Sequence, residues 1–510
     1  MPAAPSILNN AKKKQRRLTA SLFPLNTITK SFLGKTKKPK HSIDFWFGAF
    51  LSLKCDCKIT HFFLNGKGLI YILTIFNYMK IATHTLGCKL NFAETSYLQK
   101  QFAEKGFNIV SYREKADLYV INTCTVTAVA EKKCRNAIRQ ALSQNPDATV
   151  AVIGCFAQNG AEQIAAIPGV DIILGNDSKH LLPEVVEAYW QHRDGRGAPY
   201  VSVAAPVSFQ PCYSGGDRTR TFFKIQDGCD YFCTYCAIPF ARGRSRSATI
   251  AETVAVAREI AASGTREVVL TGVNTGTFGL RHGESFIDLL RQLDTVEPIA
   301  RYRISSIEPN LITEEIVDFV ASSRAFLPHF HIPLQAGSDK VLGMMHRHYD
   351  TSLYANRIEY IKKTMPDACI AADVIAGFNG EDEKTFVESV RFISQLPISY
   401  LHVFPYSDRP GTAALKMGEK VPVAVRKERG AALQALSNTM RRAFIQSQTG
   451  KERTVLWEHT RHGDSANPVM QGWTDNYIRL QRPYDDSLVG EVTPFPVTES
   501  TIVENFACED

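Results

Sequence analysis

Three cysteines fall within eight residues in Gly228-Cys229-Asp230-Tyr231-Phe232-Cys233-Thr234-Tyr235-Cys236, directly after an apolar strand-like run at 221–226. A structural zinc site or an electron-transfer iron–sulfur cluster recruits four protein ligands. C-x3-C-x2-C with no fourth Cys or His nearby leaves one coordination position open, and an open position invites a substrate. A zinc knuckle or reduced buried thiols are the alternatives, and the missing fourth ligand weighs against them.

The spacing resembles that of the radical S-adenosylmethionine (SAM) superfamily, in which three cysteines hold a [4Fe-4S] cluster whose fourth iron chelates SAM. Tyr235, the aromatic before the last cysteine, also matches that family's pattern. At 510 residues the chain exceeds what one core serves, so several domains are expected. Twelve cysteines without a secretory signal read as metal binding in a reducing cytoplasm, not as a disulfide scaffold.

The net charge of +8 misdescribes the folded body. Residues 1–78 carry thirteen Lys or Arg against Asp44 and Asp56, so this leader alone is +11 and the remainder is −3. Overall charge is therefore no argument for nucleic-acid binding. The leader has no amphipathic period and its longest apolar run is too short to span a bilayer. Met79-Lys80 directly precedes a well-formed strand at 81–85, so the working polypeptide is expected to begin near Met79, leaving Cys55 and Cys57 without function.

From 79 to 196 strand and helix signals alternate: 80–85 then 91–105, 117–122 then 126–145, 149–153 then 157–167, 170–174 then 178–189. This alternation predicts a doubly wound α/β domain. Cys88, Cys124 and Cys155 each fall just past the carboxyl end of a different strand, the edge where open α/β sheets bind ligands. Three strand-end thiols predict a second three-cysteine metal site, with small buried side chains as the alternative for each alone. Cys134, on the following helix, reads as packing.

The segments 83–91, 122–126 and 154–158 resemble the three signatures of the methylthiotransferase N-terminal domain, where the matching cysteines hold an auxiliary [4Fe-4S] cluster. After a Gly/Pro/Ser-rich linker at 197–217, containing Cys212, the βα rhythm restarts with strands at 221–226, 267–271, 302–306, 329–333, 369–375 and 400–405. Six βα units across 218–446 predict an incomplete (β/α)6 TIM-like barrel with the cysteine loop on its active face. Gly272, Asn274 and Ser306 resemble family positions near SAM, joined by Tyr235. Asn379 stands where the family has proline and is expected to carry no chemical meaning. Histidines 329, 331 and 402 read as structural or RNA-facing groups. Arg242, Arg244 and Arg246, just beyond the cysteine loop, read as an RNA-phosphate contact or a solvated charge run.

The wording of 236–247, with Leu86-Gly87-Cys88-Lys89-Leu90-Asn91, favours the MtaB-type, threonylcarbamoyladenosine-specific branch of the family. Residues 447–510 resemble the TRAM module, a small β-barrel for tRNA, with strand-like runs at 453–457, 476–480 and 487–492. Their net charge of −6 argues against phosphate binding. Trp457, Trp473 and Tyr477 read as core or base-stacking groups.

The resemblance implies methylthiolation at C2 of N6-threonylcarbamoyladenosine-37 (t6A) in the tRNA anticodon loop by a monomer. One SAM would methylate sulfur on the auxiliary cluster of Cys88, Cys124 and Cys155. Another, at the cluster of Cys229, Cys233 and Cys236, would be cleaved to a 5′-deoxyadenosyl radical with an electron from a donor such as a flavodoxin or ferredoxin. Isopentenyladenosine-37 or a ribosomal-protein aspartate are the alternative substrates, and an iron–sulfur RNA-binding sensor is the non-enzymatic alternative.

Overall fold

The computed structural model describes residues 52–53, 60–64, 70–74, 79–192, 197–215, 219–462 and 467–503. The chain forms two compact units, Met1–Tyr78 with Glu184–Gly195 and Met79–Pro183 with Arg196–Asp510. In the first, Ser52–Leu53, Thr60–Leu64 and Ile70–Thr74 make an antiparallel sheet. Aromatic and β-branched runs flanking a glycine-containing stretch are the sequence signal for it. Cys55 and Cys57 lie outside the described residues.

The second unit begins with a six-stranded parallel sheet: β1 (Lys80–Thr85), β2 (Asn108–Val110), β3 (Leu118–Thr123), β4 (Thr149–Gly154), β5 (Ile172–Leu174) and β6 (Tyr200–Ser202), in the spatial order β2-β1-β3-β4-β5-β6. Every residue of β3 and β4 is buried, as expected for central strands covered on both faces. Helix α1 (Lys89–Glu104) follows β1 and α2 (Ala128–Gln144) follows β3. Two differences from the sequence reading are the edge strand β2 and the recruitment of the expected linker into β6. Both edges are short and weakly patterned, so only tertiary pairing identifies them. The single helix expected at 157–167 is broken at Gly160 into Cys155–Asn159 and Ala161–Ala165.

The barrel sheet opens with β7 (Cys212–Tyr213), antiparallel to β8 (Arg220–Lys224), and continues in parallel through β9 (Glu267–Thr271) and β10 (Arg301–Ile304). Isolated bridges Tyr302–Phe326 and Ser306–His331 carry it on to β11 (His329–His331), β12 (Cys369–Ala376) and β13 (Tyr400–Pro405). Phe330, Ile332, Ile370, Ala372, Val374 and Leu401 belong to the large apolar core shared with the surrounding helices. By strand alternation, His329, His331, Asp373, Tyr400 and His402 face the barrel interior. The expected capping box is present: Thr249 accepts from the Glu252 N–H while Glu252 accepts from the Thr249 N–H.

Helix α3 (Val423–Gln448) leads to a four-stranded antiparallel sheet: β14 (Glu452–His462), β15 (Val469–Thr474), β16 (Arg479–Pro483) and β17 (Val492–Pro496), ordered β16-β15-β14-β17. The strand-like run at 487–492 instead starts as a 3-10 turn, Asp486–Leu488. Trp457, Trp473 and Tyr477 are buried in a cluster with Cys369, Tyr400 and Phe444, so they are core and not base-stacking platforms. Among the described residues no helix is long and apolar enough to cross a membrane.

Candidate active site

β1, β3 and β4 are adjacent in the parallel sheet, with Thr85 opposite Asn122 and Thr123 opposite Gly154, so Cys88, Cys124 and Cys155 follow neighbouring strands at one edge. Cys88 is the N-cap of α1, and Cys155 opens its short helix. Gly87 has φ +105°, and a Cβ there would lie 2.9 Å from Cys124 Cβ and 3.1 Å from its Sγ. Only glycine admits that approach of one cysteine loop to the next. Burial, then the Cys155 thiol, pushes the Cys124 thiol up to about 12, with Cys88 adding to the effect. Cys134 is fully buried and its Sγ accepts from the Cys124 N–H at 3.4 Å, a packing role.

The other trio sits in the loop after β8. Gly228, at φ +73°, brings its Cα side against the Arg244 carbonyl, where a Cβ would approach to 2.2 Å. Burial, then Cys233 and Cys229, raises Cys236 to about 12; burial, then Cys233, raises Cys229 to about 11. The Ile238 N–H donates to Cys236 Sγ (3.4 Å) and Arg347 Nη1 to Cys233 Sγ (3.2 Å). Sulfurs that act electrostatically on one another and receive N–H donors suit a thiolate-bound cluster, so each soft three-sulfur set fits an iron–sulfur group.

The positions read as SAM neighbours are tied to this loop by Gln226. Its Oε1 accepts from the Val273 and Asn274 N–H groups at 2.9 Å each, while Nε2 donates to the Gly228 carbonyl at 2.7 Å. Gly272 packs on Gln226, where a Cβ would lie 2.9 Å from Oε1. Asn274 is 1% exposed, and its side-chain Oδ1 and Nδ2 are enclosed without a well-formed hydrogen bond beside Tyr231. A buried amide with bonding capacity to spare is what a polar ligand would use. The Ser306 carbonyl accepts from Thr275 N–H and Oγ1. The Tyr235 hydroxyl accepts from Arg347 Nη1 at 3.4 Å.

Arg242, on the short helix that follows the second trio, reaches α1 beside the first. Its Nη1 donates to Asp227 Oδ1 (2.9 Å) and Glu94 Oε1 (3.2 Å), and its Nη2 to Asn91 Oδ1. Burial opposes its charge, but Cys155, Glu94, Asp227 and Cys88 together raise its pKa well above the ordinary value. Lys179 and Lys224 also pair with Glu94, and Arg246 with Asp227. Asn176 Nδ2 lies 3.6 Å from Cys155 Sγ and donates to the Ala241 carbonyl at 2.7 Å. This corrects the RNA-facing reading of the arginine run: Arg242 and Arg246 are 1% and 6% exposed and spend their donors on internal acceptors, which leaves Arg244 as the exposed member.

Sequence reasoning missed Arg347, Gln226 and the buried polar face of α1. The last had a signal, since Asn91, Glu94 and Thr95 recur at helical spacing directly after Cys88 and are all buried. Asn379 is fully buried, donates from Nδ2 to the Ala414 carbonyl at 2.8 Å and accepts from Arg426, a role in packing.

The family model "Uncharacterized protein family UPF0004" matches residues 80–175, and "Radical SAM superfamily" matches 223–393. A "Threonylcarbamoyladenosine tRNA methylthiotransferase MtaB" of Bacillus subtilis is 38% identical over 423 residues, covering 82% of this chain and 94% of the relative. The chain belongs to the radical SAM methylthiotransferases. The Aquifex aeolicus relative of the same name is 37% identical over 79% of this chain and 97% of its own length. A "tRNA-2-methylthio-N(6)-dimethylallyladenosine synthase" of Geobacter metallireducens is 30% identical over 85% of this chain and all of the relative. Radical SAM methylthiotransferases work with SAM and [4Fe-4S] clusters.

Proposed function

We propose that the chain adds a methylthio group at C2 of N6-threonylcarbamoyladenosine-37 in tRNA, with Cys88, Cys124 and Cys155 holding one [4Fe-4S] cluster and Cys229, Cys233 and Cys236 the other. The relatives named for this substrate support the nucleoside, and Arg242, which follows the second trio in the chain and acts on Cys88 and Cys155 of the first, supports their joint action on one base. When bound, SAM and the clusters supply the one-electron cleavage and the sulfur; an external donor such as a flavodoxin or ferredoxin supplies the electron.

The protein's own work is positioning and charge. Arg347 holds Cys233 Sγ through Nη1 and ion-pairs through Nη2 with Glu308, fixing a buried cation beside the open-cornered trio. Gln226 locks the cysteine loop to the Gly272–Asn274 turn, and the enclosed Asn274 amide offers a donor and an acceptor to SAM. Arg242 places positive charge against Cys88 and Cys155, where bound thiolates would concentrate negative charge. Enclosure keeps water from the reacting base. An unstacked loop adenosine can reach such a site where a paired one cannot.

The test is anaerobic reconstitution, counting iron and sulfide, then nucleoside mass spectrometry of tRNA treated with the enzyme and SAM. About eight irons per chain are expected from two four-iron clusters, with 2-methylthio-t6A as product. A product confined to isopentenyladenosine, or no SAM cleavage at all, overturns the proposal.

A further inference from the structure

We propose that Phe232, Phe240 and Arg244, on and just beyond the cysteine loop, form a stacking surface for an unpaired base next to the target adenosine, an inference that rests on the tRNA reading above. Phe232 and Phe240 are 41% and 51% exposed, and Phe404 is the remaining exposed phenylalanine among the described residues. A single exposed apolar side chain is ordinary on a protein surface. Here two rings meet edge to face at 6.3 Å, and the Arg244 guanidinium lies over the Phe232 ring at 5.3 Å. Arg244 is itself exposed, and its ion pair with the exposed Asp230 spans 3.6 Å. So open a pair is worth little and is readily exchanged for a phosphate.

The backbone points the same way. Phe232 has φ +49°, in the left-handed region that a bulky side chain enters only at a cost. Glycine would turn the chain there without strain, so the turn alone does not call for a phenylalanine. The ring nevertheless stays open to solvent instead of entering a core. Around it the loop is fixed. The Cys229 N–H donates to the Gly243 carbonyl at 3.1 Å, the Thr234 N–H to the Met345 carbonyl at 3.1 Å, and Thr234 Oγ1 to the Met344 carbonyl at 2.8 Å. A surface held in place this way loses little freedom on binding.

The occupant follows from position and chemistry. Phe232 is bonded directly to Cys233, and Phe240 lies four residues after Cys236, so a nucleic acid that delivers a base to this trio passes the neighbouring bases close to both rings. Anticodon-loop bases are unpaired, and every base has a π-face that stacks on an aromatic ring. The exposed guanidinium beside the rings suits the phosphate that accompanies each base.

The experiment uses the reconstituted full chain and anticodon stem-loops with t6A at position 37, either intact or with an abasic nucleotide at 36 or at 38. The readout is the affinity for the intact loop divided by that for each abasic loop, a ratio that does not depend on the folded fraction of a variant. Any rearrangement of the RNA caused by the missing base is common to all variants and cancels. Wild type should favour the intact loop over one of the two by about fivefold or more, as expected for one stacked base. Phe232→Ala and Phe240→Ala should each lower that ratio, and Phe240→Trp should keep it. Phe232→Gly should lower the ratio without lowering the melting temperature, since it relaxes the backbone while removing the ring. A ring used for packing would do the reverse, and that result overturns the surface. Arg244→Gln should weaken all three RNAs alike and reduce the slope of log affinity against log salt by about 0.7, one single-strand phosphate; an unchanged slope excludes Arg244. A wild-type ratio near one for both abasic loops, or ratios unchanged in both Ala variants, overturns the surface. So does a changed association state on size-exclusion chromatography with the ratios untouched, which would assign the rings to a second copy of this chain. Nucleoside mass spectrometry on the intact loop separates the two levels. Thiolated product with unchanged ratios sinks the surface alone, whereas neither product nor binding sinks the tRNA reading with it.

Discussion

Arg347 shows what a single side chain contributes and why it was invisible in the sequence. It donates to Cys233 Sγ at 3.2 Å, to the Tyr235 hydroxyl at 3.4 Å and through Nε to the Tyr349 hydroxyl at 3.1 Å, and it ion-pairs with the buried Glu308. Donors to cluster sulfur favour the more negative, reduced state, so Arg347→Gln should shift the midpoint potential of the adjacent cluster to more negative values, read by anaerobic redox titration with electron paramagnetic resonance. The same change strands the Glu308 carboxylate, and removing one partner of a buried pair costs on the order of 3–5 kcal/mol. Pairing it with Glu308→Gln should therefore recover part of the loss in chemical denaturation, while the potential stays shifted. Sequence gave no warning, because His346-Arg347-His348 lies 111 residues beyond Cys236 and only the fold brings them together. The cysteines were legible for the opposite reason: a short C-x3-C-x2-C spacing needs no long-range contact to be recognised. Arg242 and Arg246 stood beside them in the chain but were misread, since a charge run looks the same whether it meets solvent or Glu94 and Asp227.

At the scale of elements, the strand-end turns set the first trio and the polar face of α1 fastens it to the barrel. Gly87→Ala would force a Cβ to within 2.9 Å of Cys124 Cβ at φ +105°. It should lower iron from about eight to about four per chain by losing the auxiliary cluster, while SAM cleavage persists without thiolated product, as it should in a Cys88/Cys124/Cys155→Ala variant. Burial alone would raise the pKa of Glu94 on α1, but Arg242, Lys179 and Lys224 outweigh it and hold the carboxyl far below its ordinary range. Because the folded value is below the unfolded one, the stability it contributes is complete above the unfolded carboxylate range and is lost as pH falls toward the folded value. Melting temperature should therefore fall more steeply between about pH 5 and pH 3 in wild type than in Glu94→Gln. The strands carrying these turns were legible because β3 and β4 are continuous apolar runs between helical patterns. Strands β2, β6 and β7 were not, being two or three residues long and defined by the neighbour they pair with.

For the molecule as a whole, the C-terminal sheet is better understood as the floor of the barrel than as an appended RNA clamp. Arg303 donates to the Thr474 and Asp475 carbonyls at 2.7 and 3.0 Å, and Arg301 donates to the Trp473 carbonyl at 3.0 Å and to Thr454 Oγ1 at 2.9 Å. Both arginines also pair with Glu267, which is fully buried inside the barrel. Cys369, Ala371 and Tyr400 from the barrel strands share one apolar core with Trp457, Trp473 and Tyr477. Removing residues 451–510 would strip four hydrogen-bond acceptors from two buried guanidinium groups and expose that apolar face. Losing these hydrogen bonds loosens the barrel floor, and an uncovered apolar patch promotes association. The truncated chain should consequently aggregate or melt at markedly lower temperature, with poor cluster retention, checked by size-exclusion chromatography and thermal unfolding under anaerobic conditions. A separable RNA module would behave otherwise: its deletion would leave a chain of wild-type stability and unchanged association state that cleaves SAM normally and has lost only tRNA affinity. The net −6 charge of this segment already disfavours that outcome, since a surface selected chiefly for phosphate would carry the opposite sign.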